Sequence, residues 1–440
     1  MKERGILLPI FSLPSKYGIG DFGYEAYEFI DILSENGIDF WEILPINACN
    51  RLPYSPLSYY ALQEDYISID KLGEMRLIKE AELRKNTQRA IYDDFKQKYY
   101  EEAFGNFVAN DEYNRFVQRK EIKQYAEFMS KNSGKAEEYY LFLQYILHKQ
   151  WSELKEYANS RNVKIIGDMP MYPVFNSVET TFNSECFEME NGSYKFEAGT
   201  PPDYYNSEGQ KWNCPVYNVE NLAKQNYKYL VERFKYYLEL FDKVRVDYFR
   251  GYDSFYKIPY GKTGKEGFYS DGVSYAFFDE LFKDGSVNRE NLIIEDLGDI
   301  RQETVLLREH YGFTRQKILQ FAIDFDNKRD LDNESENVLM FPGNHDCATI
   351  VGWYKNLDED KKIKLKEFLN ANGCDTNCIS DGIIQYCMKC KARIVIVTVQ
   401  DILGLDDDSR INLPGVDSKN NWSWKLLNFD ELKRKISVFK

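Results

Sequence analysis

The chain has 440 residues, 43% of them hydrophobic, enough to bury the core of one large α/β barrel with insertions or of two to three ordinary domains. A net charge of −14 argues against nucleic acid and against an anionic membrane surface, both of which reward clustered Lys and Arg, and no apolar run reaches the ~18–20 residues of a membrane span. A neutral ligand fits better, and an aromatic content of 16%, with 34 Tyr, offers flat faces for sugar C–H surfaces and phenols for sugar hydroxyls.

Taken in chain order, Gly5 to Pro9 reads as a first buried strand. Met1 to Phe11 lacks the apolar core and small-residue cleavage site of a signal peptide, so the expected compartment is the cytoplasm. The 8 Cys are scattered without a disulfide framework and read as reduced thiols. After the loop Tyr17-Gly18-Ile19-Gly20-Asp21, a helix from Tyr24 to Ser34 places Ala26, Phe29, Ile30 and Leu33 on one face and stops near Gly37. Phe40 to Pro45 is a second strand. The βαβ unit predicts a parallel sheet.

Residues 51–160 break this rhythm with a Pro-, Ser- and Tyr-rich loop and then charged helical pattern, and they read as a mainly helical insertion. Val163 to Pro170 is the third strand. Residues 171–220 form a second insertion, irregular and rich in aromatics, with Gly199, the Pro201-Pro202 pair and Gly209 to shape its turns. A loop of that length inside a compact domain is functional or disordered, and its aromatics favour function. A helix from Leu222 to Leu240 follows, then strands at Lys243–Asp247, Leu292–Glu295, Lys317–Ile323, Val338–Phe341 and Ala392–Val399. With the first three these make eight, the number that closes a (β/α)₈ barrel. The expected fold is therefore one α/β unit, a (β/α)₈ TIM barrel over residues 1–440 with helical and loop insertions.

Three carboxylates stand where such strands end: Asp247, Glu295, and Asp346 in Asn344-His345-Asp346. In a parallel barrel these ends converge on one mouth, so acids far apart in sequence meet around one bond. A retaining glycosidic mechanism needs one carboxylate as nucleophile and one carboxyl as acid and then base, about 5–5.5 Å apart. A third acid holds sugar hydroxyls. Any one of the three alone would read more readily as a helix cap or an ion-pair partner. Cys374, Cys378, Cys387 and Cys390 have paired spacing that invites zinc, but the connection is short for a ribbon, and Cys387 and Cys390 share a helical stripe with Ile383 and Ile384. No metal and no cofactor are expected.

Several motifs in order give a more specific reading: Gly5-Ile6-Leu7-Leu8 with Ser12-Leu13-Pro14, Trp41-Glu42-Ile43-Leu44-Pro45, Ile166-Gly167-Asp168-Met169-Pro170, and Pro201-Pro202-Asp203-Tyr204. Arg245-Val246-Asp247 with Phe249-Arg250-Gly251, Glu295-Asp296-Leu297-Gly298, Gln400 to Leu405, and Asn421-Trp422-Ser423-Trp424 complete the set. Together they resemble the amylomaltase, or 4-α-glucanotransferase, family over Gly5 to Trp424. The resemblance implies a barrel without a C-terminal β-sandwich, and cleavage of α-1,4-glucans with transfer of the glycosyl segment to the 4-hydroxyl of another glucan or glucose. It implies Asp247 as nucleophile, Glu295 as acid/base and Asp346 as transition-state stabiliser. Arg245, two residues before Asp247 and so on the same strand face, would keep the nucleophile ionised. His345 and Asp168 would bond the −1 sugar, Tyr59 would stack beneath it, and Tyr205 and Trp212 would belong to a lid.

The chain departs from the family pattern at Tyr248, where a His is usual, at Cys347-Ala348, where Asn-Asp is usual, at Glu64-Asp65 in place of Asn-Pro, and in Gly261 to Val273, which lacks a Gly-Pro-Gly signature. Two alternatives stay open at this point. One is an α-1,4-glucan hydrolase on the same scaffold, and the other is a catalytically weak α-glucan-binding protein.

Overall fold

The computed structural model describes residues 2–84, 87–202, 207–298, 300–323, 337–416 and 418–439. Eight parallel strands close into a barrel, each hydrogen-bonded to its neighbours in sequence order, with the first strand meeting the eighth. They are Glu3–Leu7, Phe40–Glu42, Lys164–Met169, Lys243–Val246, Leu292–Ile294, Thr314–Ile318, Val338–Phe341 and Ile394–Thr398. Their runs are apolar because both faces are covered, one by helices and one by the barrel interior.

Register identifies the inward face. Gly5 pairs with Phe40 on one side and Ile396 on the other, and a Cβ on Gly5 would lie 2.9 Å from Ile396 Cγ1 and 3.0 Å from Phe40 Cβ, so these three residues share the interior. Two residues further along, Leu7 is matched by Glu42 and Thr398. Glu42 is paired with Ile166, and two residues beyond Ile166 comes Asp168, whose partner across the fourth strand is Arg245. Alternation thus sends Asp168 and Arg245 inward and, by the same step of two, Asp247. Apolar side chains fill the interior below, and charged ones occupy its C-terminal end.

The sixth strand differs from its sequence expectation of Lys317–Ile323. It runs Thr314–Ile318, and Leu319–Ala322 is a short helix. The apolar run misleads because the strand proper is TRQKI, whose Gln316 points into a polar barrel layer rather than an apolar one. The helix expected over Leu222–Leu240 is two helices, Val219–Lys224 and Lys228–Leu240, broken at Tyr227, which has a φ of 55°.

Helix Glu137–Ser160 packs against the third strand and carries two glutamines that organise the loop after the second strand. Gln144 bonds both the N–H and the C=O of Leu62, at 2.8 and 2.9 Å, and Gln150 does the same for Ser68 at 2.8 and 3.3 Å. Each side-chain amide therefore replaces a missing strand partner for buried backbone. Helices Gln97–Asn106, Asp111–Phe116 and Lys120–Ser133 pack against this helix. Above the barrel mouth stands a four-stranded antiparallel sheet in the order Phe268–Asp271, Ser254–Pro259, Phe196–Thr200, Gln210–Pro215. It joins chain from after the third strand to chain from after the fourth.

Gly167 shows how tight the shell is. A Cβ at this position would run into the ring of Phe241, the residue that closes helix Lys228–Leu240. Gly167→Ala is therefore expected to destabilise the protein by about 1–3 kcal/mol through overpacking. Urea unfolding checks this as a lowered midpoint at unchanged slope, and a wild-type midpoint would show that the shell yields without cost.

Candidate active site

Arg245 sits at the centre of the barrel mouth with its side chain only 4% exposed. Its Nη1 donates to both oxygens of Asp168, at 2.9 and 2.8 Å, and to Asp247 Oδ1 at 2.9 Å, and its Nε donates to Gln316 Oε1 at 2.9 Å. One cation thus ties the third, fourth and sixth strands together. Asp168 is sealed, whereas the Asp247 side chain is 24% exposed and opens toward the cleft. Burial raises the Asp247 carboxyl above its ordinary range, and Arg245 works against that rise and favours the carboxylate.

Glu295, just past the fifth strand, has a different surrounding. Its carboxyl accepts two backbone N–H bonds, from Leu297 to Oε1 and from Tyr248 to Oε2, both at 3.0 Å, and among the described residues no cation bonds it directly. Burial raises its carboxyl, opposed by the field of Arg245 and reinforced by Asp247. The two acids influence each other, so they titrate as a pair. Similar carboxyls held in unlike environments are the arrangement that separates an acid from a nucleophile.

Asp346 follows the seventh strand. Asn412 Nδ2 donates to its Oδ1 at 2.6 Å, Arg410 Nη2 donates to its carbonyl at 2.6 Å, and His345 Nε2 lies 3.3 Å from its Oδ2. Burial pushes the Asp346 carboxyl up, but His345, the Asn412 bond and Arg245 outweigh it and hold the carboxyl well below the usual range. Asp346 is thus the most firmly ionised of the three.

A hydrogen-bond chain joins Asp346 to the Arg245 cluster. The Tyr54 hydroxyl donates to Asp168 Oδ2 at 2.6 Å and lies 2.8 Å from His345 Nε2. The phenol has a single proton and gives it to Asp168, so the His345 contact needs a proton on Nε2. Rings of Tyr54 and His345 stack at 5.4 Å and 14°, and Trp422 flanks them at 5.7 and 6.2 Å. The sequence reading named neither Tyr54 nor Trp422 as a site residue. Pro53-Tyr54 in the shaped loop and Trp422 in the Asn-Trp-Ser-Trp motif were the available signals.

Tyr59 is corrected by the structure. It is fully buried, its hydroxyl bonds Met171 O and the Tyr217 hydroxyl, and the Arg233 guanidinium lies 3.6 Å from its ring centroid, so no face remains for a sugar. Trp212 is half-buried on the strand Gln210–Pro215 and meets the Tyr248 ring edge-on at 4.9 Å and 88°. Tyr205 lies outside the described residues.

The cysteines contribute nothing to this site beyond Cys347, which is buried next to it and whose Sγ contacts Asn344 Oδ1 at 3.2 Å. Cys387 is buried in helix Ile379–Lys389, Cys390 caps that helix, and Cys378 is exposed. Among the described residues no group of three or more His, Cys, Asp or Glu is arranged to hold a metal ion. Nor is any helix among them long and apolar enough to cross a membrane.

Comparison with known proteins decides what this constellation belongs to. The family model described as 4-alpha-glucanotransferase matches residues 8–137 and 130–430. The chain belongs to the 4-α-glucanotransferase family. It is 32% identical to the 4-alpha-glucanotransferase of Aquifex aeolicus over 97% of this chain and 96% of that one, and 31% identical to that of Clostridium butyricum over 94% of each. Among solved structures, the amylomaltase from Streptococcus agalactiae in complex with acarbose superposes with a TM-score of 0.93 at 26% identity, covering 100% of this chain and 98% of that one. The amylomaltase of Corynebacterium glutamicum, at 18% identity, shares the fold with a TM-score of 0.82 over 100% of this chain and 75% of that one. The protein is thus an enzyme of the 4-α-glucanotransferase type, acting on α-1,4-glucans, and these relatives favour transfer over hydrolysis and over mere glucan binding.

Removing the central cation tests the electrostatics of the mouth. Arg245→Met leaves Asp168 and Asp247 without their shared partner and is expected to cost about 3–5 kcal/mol. The deficit should shrink as pH falls, because the stranded carboxyls have raised pKa values in the folded variant and regain stability on taking up protons. Thermal unfolding from neutral to acid pH reads this out, and a deficit independent of pH would remove charge from the explanation.

Proposed function

We propose that Asp247, Glu295 and Asp346 carry a retaining double displacement on α-1,4-glucans. Glu295 protonates the leaving glycosidic oxygen while Asp247 attacks the anomeric carbon from the opposite face, forming a β-glucosyl ester. The departing segment leaves, and an acceptor takes its place. Its 4-hydroxyl gives its proton to the Glu295 carboxylate and attacks the ester, so that two inversions restore the α configuration. Asp346 and His345 bond the hydroxyls of the −1 sugar, and Tyr54 and Trp422 supply its apolar wall. Trp212, on the sheet above the mouth, shields the ester from water and offers a face to the acceptor.

The observation that carries this reading is the unequal treatment of the two nearest acids. Arg245 grips one oxygen of Asp247, whereas the Glu295 carboxyl, among the described residues, is hydrogen-bonded by backbone N–H groups alone. A nucleophile must be ionised and a general acid must hold its proton at the same pH. The free state of all eight cysteines supports a reducing compartment, and we place the enzyme in the cytoplasm.

Incubation with maltotriose alone separates the chemistries. A ladder of products above maltotriose is expected for the wild type, and glucose with maltose and no ladder would establish a hydrolase. Asp247→Asn should abolish both while leaving the melting temperature near wild type, because an amide nearly matches the carboxylate in volume but cannot form the ester. Most of the wild-type rate in that variant would overturn the assignment of the nucleophile.

The pH profile of kcat/KM follows from the same two environments. It should be bell-shaped, with an acid limb for Asp247 and an alkaline limb for Glu295, both displaced upward from the ordinary carboxylate values near ~4 because burial raises both groups. Glu295→Gln, assayed with glucosyl fluoride, whose leaving group needs no proton, should still form the ester but lose the alkaline limb. An alkaline limb that persists in this variant would assign it to another group.

A further inference from the structure

Tyr248 stands between the sheet over the mouth and the acid/base. Its φ is 50°, in the left-handed region that a bulky aromatic residue rarely enters. That turn aims two successive N–H groups at one residue. Tyr248 N–H reaches Glu295 Oε2 at 3.0 Å, and Phe249 N–H reaches the Glu295 carbonyl oxygen at 3.0 Å. A non-glycine residue held in this well relaxes out of it unless its surroundings prevent it.

The ring supplies the hold. Trp212 meets it edge-on at 4.9 Å and 88°, and Gly251 leaves room on another side, since a Cβ there would lie 2.7 Å from Tyr248 Cδ1. Trp212 is itself fixed by its neighbours in the strand. Lys211 pairs with Glu197 at 2.9 Å, and Asn213 N–H donates to Glu197 Oε1 at 3.0 Å.

We propose that Tyr248 is a positioning residue through which the sheet strand bearing Trp212 holds the acid/base in place: the ring contact keeps the turn left-handed, and the turn keeps the N–H bond on Glu295. The inference rests on the reading of Glu295 as acid/base. Loss of the ring contact lets the turn relax and takes away an N–H bond that favours the carboxylate, so Glu295 keeps its proton to higher pH. Arg245 and Asp247 from the fourth strand also face Glu295, as does Asp296 beside it, which is paired with Arg308. Arg250 on the Tyr248 turn bonds the Tyr269 hydroxyl. None of these groups is altered by trimming the Tyr248 ring.

The test is the alkaline limb of kcat/KM on maltotriose, measured for Tyr248→Ala, Trp212→Ala, the double variant, Tyr248→Phe and Tyr248→Gly, with thermal unfolding to confirm that each is folded. Tyr248→Ala and Trp212→Ala should each move the limb upward by about half a pH unit, and the double variant no further than the larger single shift. Tyr248→Phe should leave the limb in place, because the ring remains. Tyr248→Gly should also leave it near wild type, because glycine holds the left-handed turn without a ring. A ring that merely covers Glu295 predicts the opposite, since hydration of the carboxyl would move the limb downward in the Ala and Gly variants alike. A limb that stays or moves downward in Tyr248→Ala and Trp212→Ala overturns the proposal. Persistence of the alkaline limb in Glu295→Gln overturns it together with the reading beneath it.

Discussion

The mouth of this barrel is organised by one buried guanidinium. Arg245 carries a single positive charge and shares it between Asp168, which is sealed, and Asp247, which faces the cleft. Without that charge two carboxylates would lie side by side in a low-dielectric interior, and at least one would take up a proton. Lys would not substitute well, because the planar guanidinium reaches Asp168 on the third strand and Asp247 on its own with Nη1, and Gln316 on the sixth with Nε, at the same time. The same cation acts on Glu295 from a distance, opposing the rise that burial imposes on its carboxyl. Position in the sheet therefore sets the division of labour: Asp247 shares the arginine's strand face and is bonded to it, and Glu295, one strand further on, feels only its field.

The polar layer continues beyond the three acids, and its limits are informative. Tyr54 donates a hydrogen bond to Asp168 and accepts one from His345, so a chain of hydrogen bonds runs along this side of the mouth toward the cation. Deeper in, Glu42 is buried on the inward face, with one oxygen that has no hydrogen-bond partner, and burial pushes its carboxyl up to about 8. Burial thus disfavours a charge on Glu42, in contrast to the carboxylates that Arg245 holds at the rim.

Much of the fold was legible because a parallel barrel writes each strand as a short buried run, and seven of the eight runs were placed within a few residues. The sixth failed where its sequence is least apolar: Gln316 serves the arginine, so the eye moves on to Leu319–Ala322, which is helical. The three carboxylates, Arg245 and Asp168 were legible from strand ends and alternation. Tyr59 and Tyr54 are not told apart by sequence, because the loop carries three tyrosines with similar surroundings. Only tertiary packing shows that Arg233 occupies the face of one while His345 stacks on another. The sheet above the mouth was not legible at all, since its pairing joins Phe196–Thr200 with Ser254–Pro259 across a barrel strand, and no local pattern encodes such a partner.

The departures from the family pattern gain meaning from where they lie. Cys347 is buried and rests its thiol on Asn344 Oδ1, while the same oxygen accepts the N–H of Asp346, so the change at this position touches the turn that presents the third acid and leaves the acid itself in place. Tyr248 likewise replaces a side chain and not a backbone group, and the backbone is what bonds Glu295. In both cases the carboxyl concerned, Asp346 or Glu295, keeps its partners while the neighbouring side chain differs. Trp212 stands on the Tyr248 ring, so the side chain at this position sets the height and tilt of the indole. The altered residues therefore act on the surface around the carboxylates more than on the carboxylates themselves.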